Sequence, residues 1–247
     1  MWLHWLAVTM ISQPAPISSS TATLHVERLR LPGRSGVATL VGKISTMISR
    51  RWRRERRRRQ IGRAFDMALE VARVVPRHAQ VLDVGCGNGY IAHHLSAMLG
   101  KSVVGVDVGE KTAAPIAYLR YDGLRLPARD RSVDVVLLCY VLHHARDADA
   151  VLLEARRVLR DDGVVIVYED IPRTFWDRAV CQTHDLRWRQ RTGACTFRQQ
   201  PEWRAVFALA GFDVIAERTL SRWRNLAHPV SRESYVLRLD RGAPAAG

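Results

Sequence analysis

Paired cysteines, long apolar runs and, over the first quarter of the chain, acidic residues are all scarce in this sequence. The four cysteines (Cys86, Cys139, Cys181, Cys195) fall in separate segments and form no C-x-x-C pair. That excludes a disulfide framework and fits reduced thiols in a cytoplasmic protein. No stretch approaches the ~20 apolar residues of a membrane span, so no transmembrane segment is expected. Residues 1–10 are mildly apolar, but no basic segment precedes them and no small-residue cleavage site follows, which makes a poor secretory signal. Cys181, His184 and Cys195 lack a fourth ligand, so no metal centre is expected. No internal repeat is visible.

The shortage of acids is local. The chain holds 38 Lys and Arg against 24 Asp and Glu, a net charge of +14. Residues 1–64 carry 13 of the bases and only Glu27 and Glu55, which leaves 25 bases and 22 acids for the rest. The high pI therefore belongs to an N-terminal extension. Residues 12–23 are rich in Ser, Thr and Pro without hydrophobic periodicity, and disorder is expected over 1–46. The scarcity of acids also leaves room for a transit peptide or for a natural start near Met47. A dense block follows: Arg50, Arg51, Arg53, Arg54, Arg56, Arg57, Arg58 and Arg59, broken by Trp52 and Glu55. Ile48, Trp52, Ile61, Phe65 and Leu69 step mostly in fours, which predicts a helix over 47–75 at the head of a domain spanning 47–247. The block reads either as a solvated charge run or as a contact for nucleic acid or an anionic membrane. No aromatic interleaving beyond Trp52 supports a stacking surface.

At 81–90 the sequence runs Val-Leu-Asp-Val-Gly-Cys-Gly-Asn-Gly-Tyr. It reads as a buried strand, a glycine turn and a helix start. Glycine tolerates positive φ and lets a ligand lie on the backbone. The amides of the following helix N-terminus point at whatever occupies the turn. The order is G-x-G-x-G, which departs from the dinucleotide fingerprint G-x-G-x-x-G. The next apolar run ends in Asp107, where a ribose diol can find a carboxylate. Further strands are expected over 116–121, 133–140, 164–168, 212–217 and 234–239. Helices are expected over 90–99, 147–160 (capped by Asp147), 174–190 and 200–210 (ended by Gly211).

These motifs resemble the class I S-adenosylmethionine-dependent methyltransferases, in particular the small-molecule group of the ubiquinone and menaquinone biosynthesis type. The resemblance is carried by the glycine turn with Asp83 and Asp107, by Asp122-Gly123 with the Leu126-Pro127 and Ser132-Val133-Asp134 that follow, and by 154–159 before Gly163. It covers roughly residues 60–170 and loosens from Glu169. It implies an α/β fold: a doubly wound, seven-stranded, mainly parallel sheet (Rossmann-like) in the order 3-2-1-4-5-7-6, with strand 7 antiparallel. It implies S-adenosyl-L-methionine as cofactor. Asp83, Gly85, Cys86, Gly87, Gly89 and Tyr90 would line its methionine end, Asp107 and Val108 its ribose, Asp122, Gly123 and Leu124 its adenine, and Cys139 and Tyr140 the end of the fourth strand.

A sulfonium methyl is already activated, so such an enzyme mostly holds a nucleophile in line, about 3 Å away, and excludes water. The sequence shows no catalytic triad, as that chemistry permits. His143 and His144 follow the fourth strand at the sheet's open edge, and His184 lies on a later helix; all three are candidates for work on the acceptor or for packing. Glu169 and Asp170 are expected to bind a cationic acceptor or to hydrogen-bond loop amides. Aromatic residues over 168–203 suit a planar or apolar small molecule. The competing readings are an RNA or DNA methyltransferase that grips phosphates through the block at 50–59, and a cofactor-binding protein without turnover. A short-chain dehydrogenase is disfavoured, because no Tyr is followed four residues later by Lys.

Overall fold

The computed structural model describes residues 34–225, 228–240 and 242. The chain divides into two units, Met1–Arg51 and Trp52–Gly247. Of the first unit, residues 34–51 are helical, with Met47 and Ile48 exposed. They belong to α1 (Arg34–Ala72), which begins inside the extension expected to be disordered. Residues 1–33, including the Ser/Thr/Pro-rich stretch at 12–23, lie outside the described residues.

Seven strands organise the second unit: β1 (Val81–Val84), β2 (Val104–Asp107), β3 (Ala117–Arg120), β4 (Val133–Cys139), β5 (Leu159–Asp170), β6 (Phe212–Leu220) and β7 (Arg232–Leu239). Their order is β3-β2-β1-β4-β5-β7-β6. The first five run parallel, and β7 is antiparallel to both β5 and β6. This is the order that the family resemblance implies.

Side chains alternate across a strand, and here both alternations are apolar. Leu82, Val84, Val136, Leu138, Val165 and Val167 enter one core, beneath α3 (Ala148–Val158) and α5 (Gln200–Leu209), with Leu152, Trp203 and Phe207. Val81, Val135, Leu137, Ile166 and Tyr168 enter the other, against Ala68 and Val71 of α1 and Leu95 of α2 (Tyr90–Leu99). Central parallel strands covered on both faces need such continuous apolar runs. The helix caps follow the sequence. Asp147 accepts from the Ala150 amide at 3.0 Å, and Gly211 closes α5's end with a φ of 79°. In α4 (Phe175–Thr192), Thr174 and Asp177 form a reciprocal capping box.

Several boundaries differ from expectation. The helix expected over 147–160 stops at Val158, and β5 begins at Leu159 with a bulge: pairing steps from Val133↔Leu159 to Val135↔Val164. Arg160 turns to Asp134 in a salt bridge instead of extending the helix. The fourth strand ends at Cys139, because Tyr140 takes a left-handed φ of 58°. β6 and β7 are longer than expected, since their antiparallel register continues to Leu220↔Arg232.

Gly163 sits in the bulge, where an added Cβ would stand 2.8 Å from the Asp134 carbonyl oxygen. Gly163→Ala should therefore cost about 1–3 kcal/mol in urea unfolding. Gly62→Ala in α1, where a Cβ meets nothing within 4 Å, should be neutral or stabilising by up to about 1 kcal/mol.

Candidate functional site

The carboxyl ends of β1, β2 and β4 lie side by side, and the glycine turn sits above them. Gly85, Gly87 and Gly89 all take positive φ, at 69°, 54° and 75°. Two of them also answer to close neighbours. A Cβ on Gly85 would meet Val141 Cγ2 at 2.5 Å, and one on Gly89 would meet Ile116 Cδ1 at 2.8 Å. Gly87 differs, since a Cβ there would meet nothing within 4 Å. Open space therefore lies over a bare backbone. The turn is fastened by the Gly85 and Cys86 amides donating to the Val106 carbonyl at 2.8 and 3.1 Å.

Asp107 links this turn to the next strand end. One carboxylate oxygen accepts from the Gly87 amide at 2.8 Å, and the other from the Gly109 amide at 2.9 Å. Asp83 is fully buried, and its Oδ2 has no hydrogen-bond partner. Burial, with the Asp107 charge adding to it, pushes its pKa up to about 7 from 3.8. The same two causes, burial and these acids, hold the Cys86 thiol protonated. A cationic, polar ligand end laid over Gly87 would answer both the orphaned oxygen and the open backbone. S-adenosylmethionine, with its ammonium and sulfonium, fits those demands.

The adenine-side residues gather next to Asp107. Asp122 Oδ1 accepts from the Leu124 and Arg125 amides at 2.8 and 2.9 Å, which fixes a turn with Gly123 at a φ of 83°. A Cβ on Gly123 would come within 3.3 Å of Val108 Cγ1. Val108 and Leu124 are exposed. Tyr90 is buried, with its hydroxyl accepting from Arg57 Nε at 2.9 Å.

Beyond β4, a 3-10 turn (Leu142–His144) carries the two histidines. Glu169 at the end of β5 holds this turn by two contacts. Its Oε1 accepts from the Leu142 amide at 2.8 Å, and its Oε2 meets His143 Nδ1 at 2.5 Å. Burial alone would depress the His143 pKa, but the Glu169 carboxylate overrides it and raises the value. His143 Nε2 is buried without a partner. Phe197 stacks on the His143 ring at 4.8 Å, and the Thr196 amide donates to the His143 carbonyl. From α4, His184 Nε2 reaches His144 Nε2 at 3.1 Å. Burial first, then the neighbouring imidazoles, lowers His144 to about 3 and His184 to about 4. Both are therefore neutral near pH 7. Asp170 is taken by Arg232 Nε at 3.0 Å and His228 Nε2 at 2.8 Å.

The structure thus gathers the predicted residues into two adjoining groups. Asp83, Gly85, Cys86, Gly87, Gly89, Asp107 and Val108 adjoin Asp122, Gly123 and Leu124, while His143, His144 and His184 share a separate cluster beyond Cys139 and Tyr140. Glu169 accepts from the Leu142 loop amide, in keeping with one of the two readings kept open, whereas Asp170 is engaged by the Arg232 and His228 side chains, which neither reading expected. Cys181 is not among the clustered ligand atoms, and burial raises its thiol to about 12. His228 and Arg232 escaped sequence reasoning. Only the antiparallel register Asp170↔Arg232 brings them in, and no local spacing announces it.

Residues 82–167 match the family described as Methyltransferase domain. A protein described as a probable S-adenosylmethionine-dependent methyltransferase of Mycolicibacterium smegmatis is 40% identical over 94 residues, 35% of this chain and 36% of that protein. The mitochondrial arginine-hydroxylase NDUFAF5 of Mus musculus is 31% identical over 111 residues, 42% of this chain and 32% of its own length. The chain thus spans about a third of the length of these relatives. A solved S-adenosylmethionine-dependent methyltransferase of Mesorhizobium loti has a TM-score of 0.55 at 16% identity, covering 71% of this chain and 97% of that one. That last likeness is one of fold. The family match stops within β5, so Glu169, Asp170 and His184 lie outside it.

Because Asp83 binds its proton more tightly folded than unfolded, its contribution to stability is present below pH 3.8 and lost as pH rises through about 7. The melting advantage of Asp83→Asn over the parent should therefore grow from pH 4 to pH 8, by on the order of a few kcal/mol. A pH-independent difference in scanning calorimetry would contradict the buried-carboxyl assignment.

Proposed function

We propose that this chain, whose residues 82–167 match the methyltransferase domain family, is a class I S-adenosylmethionine-dependent methyltransferase that moves the methyl group of S-adenosyl-L-methionine to a small-molecule acceptor. The observation that carries this reading is the open backbone over Gly87, tied through its amide to Asp107 on the neighbouring strand. When bound, the cofactor supplies a methyl group on a positively charged sulfur. The chain's own residues do the rest. Asp83 and the three glycines hold the methionine end, with Cys86 and Tyr90 beside them. Asp107 and Val108 hold the ribose, and Asp122, Gly123 and Leu124 the adenine. Cys139 and Tyr140 close the space between this hollow and the histidines.

His143, His144 and His184 face the acceptor side, walled by Phe197 and by Trp188, whose ring stacks on His184. Such a wall aligns a planar acceptor and keeps water away from the line of attack. The four free cysteines support a reducing, cytoplasmic setting. No helix among the described residues is long and apolar enough to cross a membrane.

A nucleic-acid acceptor is the second reading, favoured by the exposure of the arginines at 50–59. It predicts RNA or DNA affinity that falls steeply with salt. A hydroxylase among the relatives makes labelled methyl transfer, and not cofactor binding alone, the deciding assay; binding without turnover would leave a cofactor-binding protein.

Asp107→Ala should weaken S-adenosylmethionine binding at least tenfold by calorimetry, since hydrogen bonds to a charged carboxylate contribute about 1.5–3 kcal/mol each, while the protein still melts cooperatively. Unchanged affinity would remove Asp107 from the site. Labelled methyl groups from the cofactor should appear in extracted small metabolites and not in RNA; label in RNA would move the assignment to the second reading.

A further inference from the structure

Three imidazoles converge on one point beyond β4. One ring nitrogen from each of His143, His144 and His184 lies within 4.8 Å of the others. The closest pair, His144 Nε2 and His184 Nε2, is 3.1 Å apart. Two nitrogens that each stand about 2.0–2.1 Å from a tetrahedral zinc ion are about 3.3 Å from one another. A hydrogen bond between the two rings would satisfy that pair alone. It does nothing for His143 Nε2, which is buried, unpartnered and on a ring exposed by only 1%.

The far nitrogens of two of these rings are arranged as metal ligands require. Ligating histidines donate their second N–H to a carboxylate, hydroxyl or carbonyl, which fixes the tautomer and aims the other lone pair inward. His143 Nδ1 meets the Glu169 carboxylate at 2.5 Å, and His144 Nδ1 meets Thr192 Oγ1 at 3.3 Å. The first contact leaves His143 Nε2 without a partner, and the second leaves His144 Nε2 facing His184 Nε2. The donors are soft-to-borderline nitrogens with no carboxylate among them, a set that suits zinc-class transition ions and does not suit magnesium or calcium.

We propose that His143, His144 and His184 bind one divalent transition-metal ion of the zinc class, leaving a fourth coordination position open. Sequence spacing could not reveal this, because His184 lies on α4 while the other two lie on the turn after β4; the absence of a metal centre expected from Cys181, His184 and Cys195 is replaced by a different ligand set. Three protein ligands with one open position is the pattern of a site that takes an exchangeable ligand. On the methyl-transfer reading, that ligand is an oxygen of the acceptor. Ion binding itself does not depend on that reading.

The test uses the full chain without a histidine tag, stripped with chelator and dialysed against Zn²⁺ or Co²⁺. Elemental analysis should find about one ion per chain, and the Co²⁺ form should show the visible absorption of a four-coordinate site. His144→Gln and His184→Gln should each abolish retention while S-adenosylmethionine affinity and cooperative melting persist. Glu169→Gln should weaken metal affinity by about 10–100-fold. A parent protein that retains no ion, or a His184→Gln protein that retains a full equivalent, overturns the proposal. Ion bound without methyl transfer to any acceptor would leave the metal site standing and remove the methyl-transfer reading; methyl transfer with no ion bound would do the reverse.

Discussion

The central strands of this sheet are buried on both faces, and that constraint decides where polar chemistry can sit. β1, β4 and the latter half of β5 present apolar side chains on either side, so their carboxyl ends are the places left for charge. Asp83, Asp107, Glu169 and Asp170 all stand at or near such ends. Parallel register then places them next to one another without further instruction: Asp83 pairs with Gly105 and Leu137, and Cys139 with Tyr168. The cost appears in the acids themselves. Burial and the Asp107 charge push Asp83 up to about 7, whereas Asp170 is held below the ordinary range, against burial, by His228 and Arg232.

Much of this was legible in the chain. The glycine turn, Asp107 and the strands themselves could be read because each depends on local chemistry: positive φ, an acid closing an apolar run, continuous hydrophobic segments; the order of the strands came from the family resemblance. The cap residues Asp147 and Gly211 belong to the same class. What escaped reading depends on pairs distant in sequence. The bulge at Gly163 reads as a turn until Asp134 is known to approach it. Glu169 reads equally as a ligand for a cation or as a loop anchor until β5 is set beside the turn after β4. His228 and Arg232 carry no motif at all. The histidine cluster is intermediate: its members stand out singly, but their convergence requires the angle at which α4 crosses the sheet edge.

The two halves of the site also differ in how they are built. The cofactor side rests on backbone amides and carbonyls, with glycines demanded at Gly85 and Gly89 by neighbouring side chains as well as by φ. Few substitutions there are neutral. The histidine side rests on side chains drawn from the turn after β4 and from α4, with Phe197 from the loop that follows. His143 and His144 fall inside the segment that matches the methyltransferase family, whereas α4 and Phe197 lie beyond it.

The reciprocal cap at the head of α4 has a consequence for that second half. Asp177, fully buried, holds the Thr174 end of the helix and also accepts from the Ser231 amide and hydroxyl beside β7. One carboxylate thereby clamps the helix's first turn to the antiparallel edge of the sheet. Its last turn leads instead into residues 193–199, held by the Cys195 amide on Asp185, the Cys195 thiol beside His144 Nδ1, the Thr196 amide on the His143 carbonyl and the Gln199 side chain on the Pro172 carbonyl. Lengthening or trimming that loop would shift Phe197 against the His143 ring while the clamped end kept its place, so the two ends of one helix answer to different parts of the chain.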